Sequence, residues 1–524
     1  NLQQTYRSNW PKWLKAGSWA LASLAFMPSC TYDFPEVVEE EVVPDSGGAD
    51  FSKYVAIGNS ITAGFMDGAL YNEGQQGAYP VLLHQKMREM SSMNIGEFRM
   101  PNVASSTEVG YSAEIPGVGT VGRLRFDDPS LSPVYDPSIP PSDECSEDGF
   151  TPKPVVSDVT AAQYFQPMGI DAGSLNNFGI PGITLGQLLS RGTGVPSNPE
   201  FNPYFLRFAS APGEASPLEE ILNAKPTFFT FWMGNNDALN FAYNGGTAPL
   251  TDPSTFETQY RASVLALVQA GAKGVVANIP DITLTPFFSA VTSQVASVTF
   301  PLGQEQAAQL NGAYALQGYP DVNFGAENNR LLIETHDGQI RQFIPGEDLI
   351  TLTMALDGVT SQLGTDPVIA CGQQVGQGIG MGIADFQNTV ETPAGPVPAA
   401  FPIPNRYVLD REEVAQVREA INTYNSAIST VLSDPMLNNN VALVDVNAAF
   451  AQLDAVGARN SNNLVVMNGG FEAGGGFSTD GIHPNPKGQA YLANLFATAI
   501  NQRFGSELRK YDITQFRGNE FPVP

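Results

Sequence analysis

The sequence predicts an α/β body: a parallel β-sheet with crossover helices on both faces, enlarged by two large insertions. Three observations lead there. Short apolar runs, each ending at a turn rich in Gly, Asn or Asp, alternate with stretches of helical spacing, and such alternation implies parallel strands joined by helices. Hydrophobic residues make up 42% of the 524 positions and charged ones only 15%, enough to fill a core and too apolar for a disordered chain. Segments 97–170 and 282–405 break the alternation with proline, glycine and short mixed patterns. Structureless loops of that size do not fit inside a compact domain, so both read as insertions with their own packing over the top of the sheet.

The elements follow in order. Tyr54 to Ile57 is a buried strand that meets the turn Gly58-Asn59-Ser60. Tyr79 to Met90 has helical spacing, and Lys225 to Met233 is a second strand ending at Gly234-Asn235-Asn236-Asp237. Ser254 to Ala270 is an amphipathic helix stopped by Gly271, with the strand Gly274 to Ile279 after it. Arg411 to Leu432 is a long helix, Val441 to Val446 the next strand, and Pro486 to Phe504 the closing helix. In parallel sheets, ligands bind beyond the carboxyl ends of the strands. Ser60 and Asn236 both fall there.

The two ends read differently from the body. Residues 1–29 carry Arg7, Lys12 and Lys15 before an apolar run, Ala16 to Pro28, that is too short to span a bilayer. The run stops at Ser29-Cys30. This pattern resembles a bacterial lipoprotein signal, which implies that Cys30 is the lipidated residue. The acidic stretch after it, within 30–50, resembles the surface-export signal of Bacteroidetes lipoproteins. Physically it is a solvated, self-repelling tether reaching to about Gly48. By this resemblance the chain is expected to be a lipid-anchored, surface-exposed protein of the outer membrane, with 51–505 as the soluble domain and 506–524 as a C-terminal tail. Acidic residues outnumber basic ones 53 to 26, a net charge of −27, which excludes a nucleic-acid partner. Cys145 and Cys371 could pair in an oxidising compartment, and the sequence leaves that pairing open.

Four blocks carry the chemistry: Gly58-Asn59-Ser60-Ile61, Asn177-Phe178-Gly179-Ile180-Pro181-Gly182-Ile183-Thr184, Gly234-Asn235-Asn236-Asp237, and Asp480-Gly481-Ile482-His483-Pro484. A serine hydroxyl needs a base to become a nucleophile, and histidine is the best base near neutral pH. Of the three histidines, His84 lies in a helical pattern and His336 in a turn of an insertion. Only His483 has an aspartate, Asp480, three residues earlier on a short loop, where a carboxylate could set its tautomer. Gly182 can bring its N–H close to an oxyanion, and Asn236 can offer a side-chain amide.

The four blocks, in this order and on these elements, resemble the SGNH or GDSL-type hydrolase family of esterases and lipases. The resemblance covers most of 51–280 and 405–505. It implies a flavodoxin-like three-layer fold with no required cofactor or metal. It further implies Ser60 as nucleophile, His483 as base, Asp480 as its orienting acid, and Ser60, Gly182 and Asn236 as the oxyanion hole. The first block departs from the family's Gly-Asp-Ser-Leu by placing Asn59 and Ile61 around Ser60. Local hydrogen bonding is expected to change there and activity to survive.

Other signals are weaker. Gly117 to Gly122 matches the dinucleotide pattern G-x-G-x-x-G but follows no strand. Asp143, Glu144, Glu147 and Asp148 lack the spacing of a calcium loop. Phe287-Phe288 and the apolar stretch from Val291 to Phe300 would suit an acyl chain, though packing against the sheet is favoured. The expected partner is an ester substrate, including a lipid. Two other readings stay open: a carbohydrate O-deacetylase of the same family, and a non-catalytic lipoprotein that binds or scaffolds at the outer membrane, with an outer-membrane protein as partner.

Overall fold

The structure is a computed structural model. It describes residues 44–519 apart from 91–94, 104–109, 112–122, 128–129, 134–166, 300, 354–368, 371–372, 375–388, 393–394, 399–401, 461 and 472–473. The signal segment 1–29, Cys30, Cys145, Cys371, the glycine run at 117–122 and the acidic cluster at 143–148 lie outside the described residues.

Five strands form one all-parallel sheet: β1 (Tyr54–Gly58), β2 (Asn177–Gly179), β3 (Phe228–Trp232), β4 (Lys273–Ala277) and β5 (Val441–Val444). Their order across the sheet is β2-β1-β3-β4-β5. The chain therefore reverses its direction of travel between β1 and β3, and a crevice opens at such a switch point beyond the strand ends. β2 was legible from sequence only as a motif, because three residues are too few to show strand periodicity.

Alternation along the strands builds two cores. Val55 and Ile57 of β1, Phe229 and Phe231 of β3 and Val276 of β4 face one side. Tyr54, Ala56, Phe228, Trp232, Val275 and Ala277 face the other. Both sides are apolar, as expected of a sheet covered on each face. The helices that bear on the argument are α1 (Ser60–Ala63), α2 (Tyr79–Arg88), α3 (Leu185–Leu189), α4 (Pro253–Gln269), α5 (Pro286–Ser297), α6 (Gln304–Leu316), α7 (Arg411–Leu432), α8 (Val446–Val456) and α9 (Pro486–Phe504). Phe256, Tyr260, Val264 and Leu267 of α4, with Val417, Ile421, Tyr424 and Ile428 of α7, cover the first face. Tyr79, Leu83 and Met87 of α2, with Ala493, Phe496 and Ile500 of α9, cover the second. Each set repeats at three- or four-residue spacing, the apolar stripe of a helix lying on a sheet. No helix among the described residues is long and apolar enough to cross a membrane.

The insertions are less separate than their sequence suggests. α5 buries Phe287, Phe288, Val291 and Val295 in the first core, so these residues fill the body, as packing arguments favoured. α6 and the hairpin after it make a satellite core, from Leu310, Tyr314, Val322, Phe324, Leu332 and Ile340. In the first insertion, Tyr111 pairs with Leu70, and the Leu124 N–H donates to the Asp67 carbonyl at 2.7 Å. The tether also ends earlier than expected. Residues 44–50 belong to the body: the Gly48 N–H donates to the Phe504 carbonyl at 2.7 Å, and Ala49 and Phe51 are buried. In the tail, Leu508 and Ile513 join the second core.

β2 and α1 approach closely. A Cβ on Gly179 would stand 2.2 Å from the Ala63 backbone nitrogen, too near for any side chain. Gly179→Ala is therefore expected to lose about 1–3 kcal/mol of stability from overpacking, read as a lower denaturation midpoint. Parental stability in this variant would contradict the packing described.

Candidate active site

The site is built at the end of β1. Gly58 closes the strand, Asn59 caps the next turn, and Ser60 is its first residue. The Asn59 side-chain oxygen accepts the Ile61 N–H at 3.1 Å. The cap needs one acceptor, which an asparagine carbonyl supplies as well as a carboxylate. The turn at Ser60 is therefore capped with asparagine in the first block. α1 is also gripped from three sides. The Asn177 amide donates to the Thr62 carbonyl at 2.8 Å, the Thr62 and Tyr79 hydroxyls are 3.0 Å apart, and the Gln489 amide reaches the Ile61 carbonyl at 3.4 Å.

The second half of the site lies on the loop before α9. The Ser478 N–H donates to the His483 carbonyl at 2.7 Å and closes this loop. Asp480 Oδ1 accepts the N–H groups of Ile482 and His483, both at 2.9 Å. Asp480 Oδ2 lies 2.8 Å from His483 Nδ1 and accepts the Gly68 N–H at 2.8 Å. An ionised carboxylate can only accept, so Nδ1 carries the proton and Nε2 is left with its lone pair. His483 Nε2 lies 2.8 Å from Ser60 Oγ. The Phe65 ring packs against the imidazole, with centroids 4.8 Å apart. Burial alone would raise the Asp480 carboxyl, but the facing His483 and the N–H donors outweigh it and hold the group at about 2.

Ser60, Asn236 and His483 line one cleft. Asn236 lies in the first turn of the helix after β3, and its amide donates to the Ile183 carbonyl at 2.8 Å. A primary amide has two hydrogens, so one is left for a ligand. Gly182 precedes Ile183, has φ +76°, and is exposed. It does not line the cleft with the other three. The next residue, Asp237, accepts from the Leu185 N–H at 3.2 Å and from the Thr251 hydroxyl at 2.8 Å. Burial pushes its carboxyl up to about 6 despite these bonds.

The cleft is partly open to solvent, and its walls are mostly apolar, including Ile282, Phe450, Leu453, Phe477, Leu492 and Leu495. Trp232 Nε1 and Asn235 Oδ1 are buried in residues that line it and lack a hydrogen-bond partner among the described residues. Sequence reasoning missed this wall, because α8 and the segment around Phe477 approach Ser60 only in three dimensions. It also missed Phe65 and Asp67, whose motif-free loop carries no signal of its own.

The other histidines stand apart. His84 is buried with Nε2 3.0 Å from the Gly96 carbonyl, and burial pushes it down to about 4. His336 Nδ1 lies 2.6 Å from Asp410, whose other oxygen caps α7 by accepting the Glu412 and Glu413 N–H groups at 3.0 and 3.1 Å. His336, Asp410 and Glu412 are the described group closest to metal-ligand spacing, and helix capping accounts for the carboxylate at its centre.

Two expectations follow. Asn59→Ala removes the cap and should cost about 1 kcal/mol, whereas Asn59→Asp should retain it; equal denaturation midpoints for the two variants would contradict this. Asp237 has a folded value raised to about 6 from an unfolded value of about 3.9. Its contribution is thus fully present below the unfolded value and is lost as pH rises through the folded one. The midpoint of Asp237→Asn should fall less steeply than that of the parent between these pH values; an unchanged slope would contradict the burial argument. Among known protein families, curated proteins and solved structures, we find none that matches this chain.

Proposed function

We propose that the chain is a serine ester hydrolase of the SGNH or GDSL type, with the flavodoxin-like three-layer fold of that family. The observation that carries the proposal is the unbroken line of hydrogen bonds from Asp480 through His483 to Ser60, each 2.8 Å long. In this reading His483 Nε2 takes the Ser60 proton as Oγ attacks the ester carbonyl. The Ser60 N–H and the Asn236 amide, which share the cleft, receive the negative oxygen; the Gly182 N–H is assigned to the same oxyanion by the family resemblance alone. The intermediate collapses to an acyl-enzyme, and His483 returns the proton to the departing alcohol. Water, deprotonated by His483, then releases the acid. Asp480 stays ionised and stabilises the imidazolium at each stage.

The apolar cleft favours an ester with a hydrocarbon chain over an acetylated sugar, whose hydroxyls would lose water against Phe450, Leu453 and Leu495. The reach of 2.8 Å between Ser60 and His483 also favours an enzyme over a scaffold. The signal-like segment ending at Cys30 supports a lipid anchor at the outer membrane, which would bring the cleft to lipid esters.

A series of nitrophenyl esters from acetate to dodecanoate, beside acetylated sugars, tests both parts. Turnover should rise with chain length, and Ser60→Ala should lose at least ~10⁴-fold in kcat/KM. Undiminished turnover in Ser60→Ala would sink the nucleophile assignment. Faster reaction with acetylated sugars would move the substrate to carbohydrate esters.

A further inference from the structure

Asp67 is buried and has φ +56°, a backbone conformation that residues other than glycine rarely adopt. Such a conformation persists only where the surroundings over-determine it. Here all four polar groups of the residue are tied to other parts of the chain. Its N–H donates to the Ser478 hydroxyl at 2.9 Å, and its carbonyl accepts the Leu124 N–H at 2.7 Å. One carboxylate oxygen accepts the Thr479 N–H at 3.2 Å and the Thr479 hydroxyl at 2.9 Å. The other accepts the Tyr71 hydroxyl at 2.7 Å and Arg123 Nε at 3.2 Å. The Thr479 hydroxyl also lies 3.0 Å from the Leu124 carbonyl.

These bonds converge on the catalytic loop. Ser478 and Thr479 immediately precede Asp480. The residue after Asp67, Gly68, donates its N–H to Asp480 Oδ2 at 2.8 Å, the same oxygen that meets His483 Nδ1. The left-handed turn at Asp67 fixes the plane of the Asp67–Gly68 peptide, and so the direction of that N–H. Arg123 and Leu124, at the described edge of the first insertion, complete the bracket.

We propose that Asp67 is the positioning residue for the catalytic loop: it clamps 478–480 to the loop after α1 and aims the Gly68 N–H at Asp480, so that Asp480 holds His483 in line with Ser60. The proposal rests on the serine-hydrolase reading above. It also gives the first insertion a task, since Arg123 and Leu124 brace Asp67 from outside the sheet. Asp67 does not line the cleft, so its loss acts on the rate of the chemical step and leaves substrate binding alone.

The test uses the full chain. The parent, Asp67→Asn and Asp67→Ala are compared for labelling rate with a fluorophosphonate and for kcat and KM on a nitrophenyl ester. Asparagine tolerates the left-handed conformation and keeps one acceptor, but it loses the charge facing Arg123. The expected order of kcat is parent, then Asp67→Asn, then Asp67→Ala, with Asp67→Ala down by about 10²-fold and KM nearly unchanged. Labelling should slow in parallel. Should Asp67→Ala fail to fold, Thr479→Val removes a clamp partner from the opposite loop and should lower kcat with KM retained. Equal kcat and labelling in a folded Asp67→Asn and the parent overturn the positioning role alone, as does a loss confined to KM. A parent that is not labelled at all overturns the hydrolase reading, and this proposal with it.

Discussion

One hydrogen bond joins residues 423 positions apart, Ser60 on the turn after β1 and His483 on the loop before α9. Its length is short enough for proton transfer only if two loops from opposite ends of the domain are each held to within a fraction of an ångström. Much of the fold is explicable as the means of holding them. The parallel sheet sets where β1 ends, and the cap from Asn59 and the close approach at Gly179 fix α1 against it. α9 lies on the same face as α2, and its Gln489 accepts the Tyr79 N–H at 2.9 Å. The helix that follows His483 is thereby tied to the helix that follows Ser60.

Electrostatics completes the arrangement. Asp480 is nearly enclosed, and a buried carboxylate is costly unless it is paired and hydrogen-bonded. Three N–H donors and the imidazole meet that need. Because the acid stays ionised, the histidine tautomer is set, and the free nitrogen faces the serine. Asp237 illustrates the opposite balance. It is buried with fewer partners and its carboxyl is pushed up, which suits a residue that links the Asn236 turn to the Gly182 block through Leu185 and leaves proton transfer to others.

How much of this was legible in the sequence depends on how local each signal is. Ser60 could be found because a strand and a glycine turn stand directly before it, and His483 because an aspartate precedes it by three residues. The long helix at 411–432 was legible because its pattern is local too; the structure adds a capping box from Asp410 to Glu413. β2 was not, since three residues carry no periodicity, and neither was the cleft, whose walls come from residues around 232, 282, 450, 477 and 492. Asp67 was the least legible of all: its meaning lies in partners at 123, 124, 478 and 479. After β4 the sequence favoured packing of Phe287 and Phe288 against the sheet, but which core they complete is seen only in three dimensions.

The central claim is that Ser60 is a nucleophile made reactive by His483. Mass spectrometry of the intact protein after fluorophosphonate treatment tests it most directly. The account predicts one covalent adduct, located on Ser60 and lost in His483→Ala. An unmodified Ser60, or labelling that persists undiminished without His483, would contradict it.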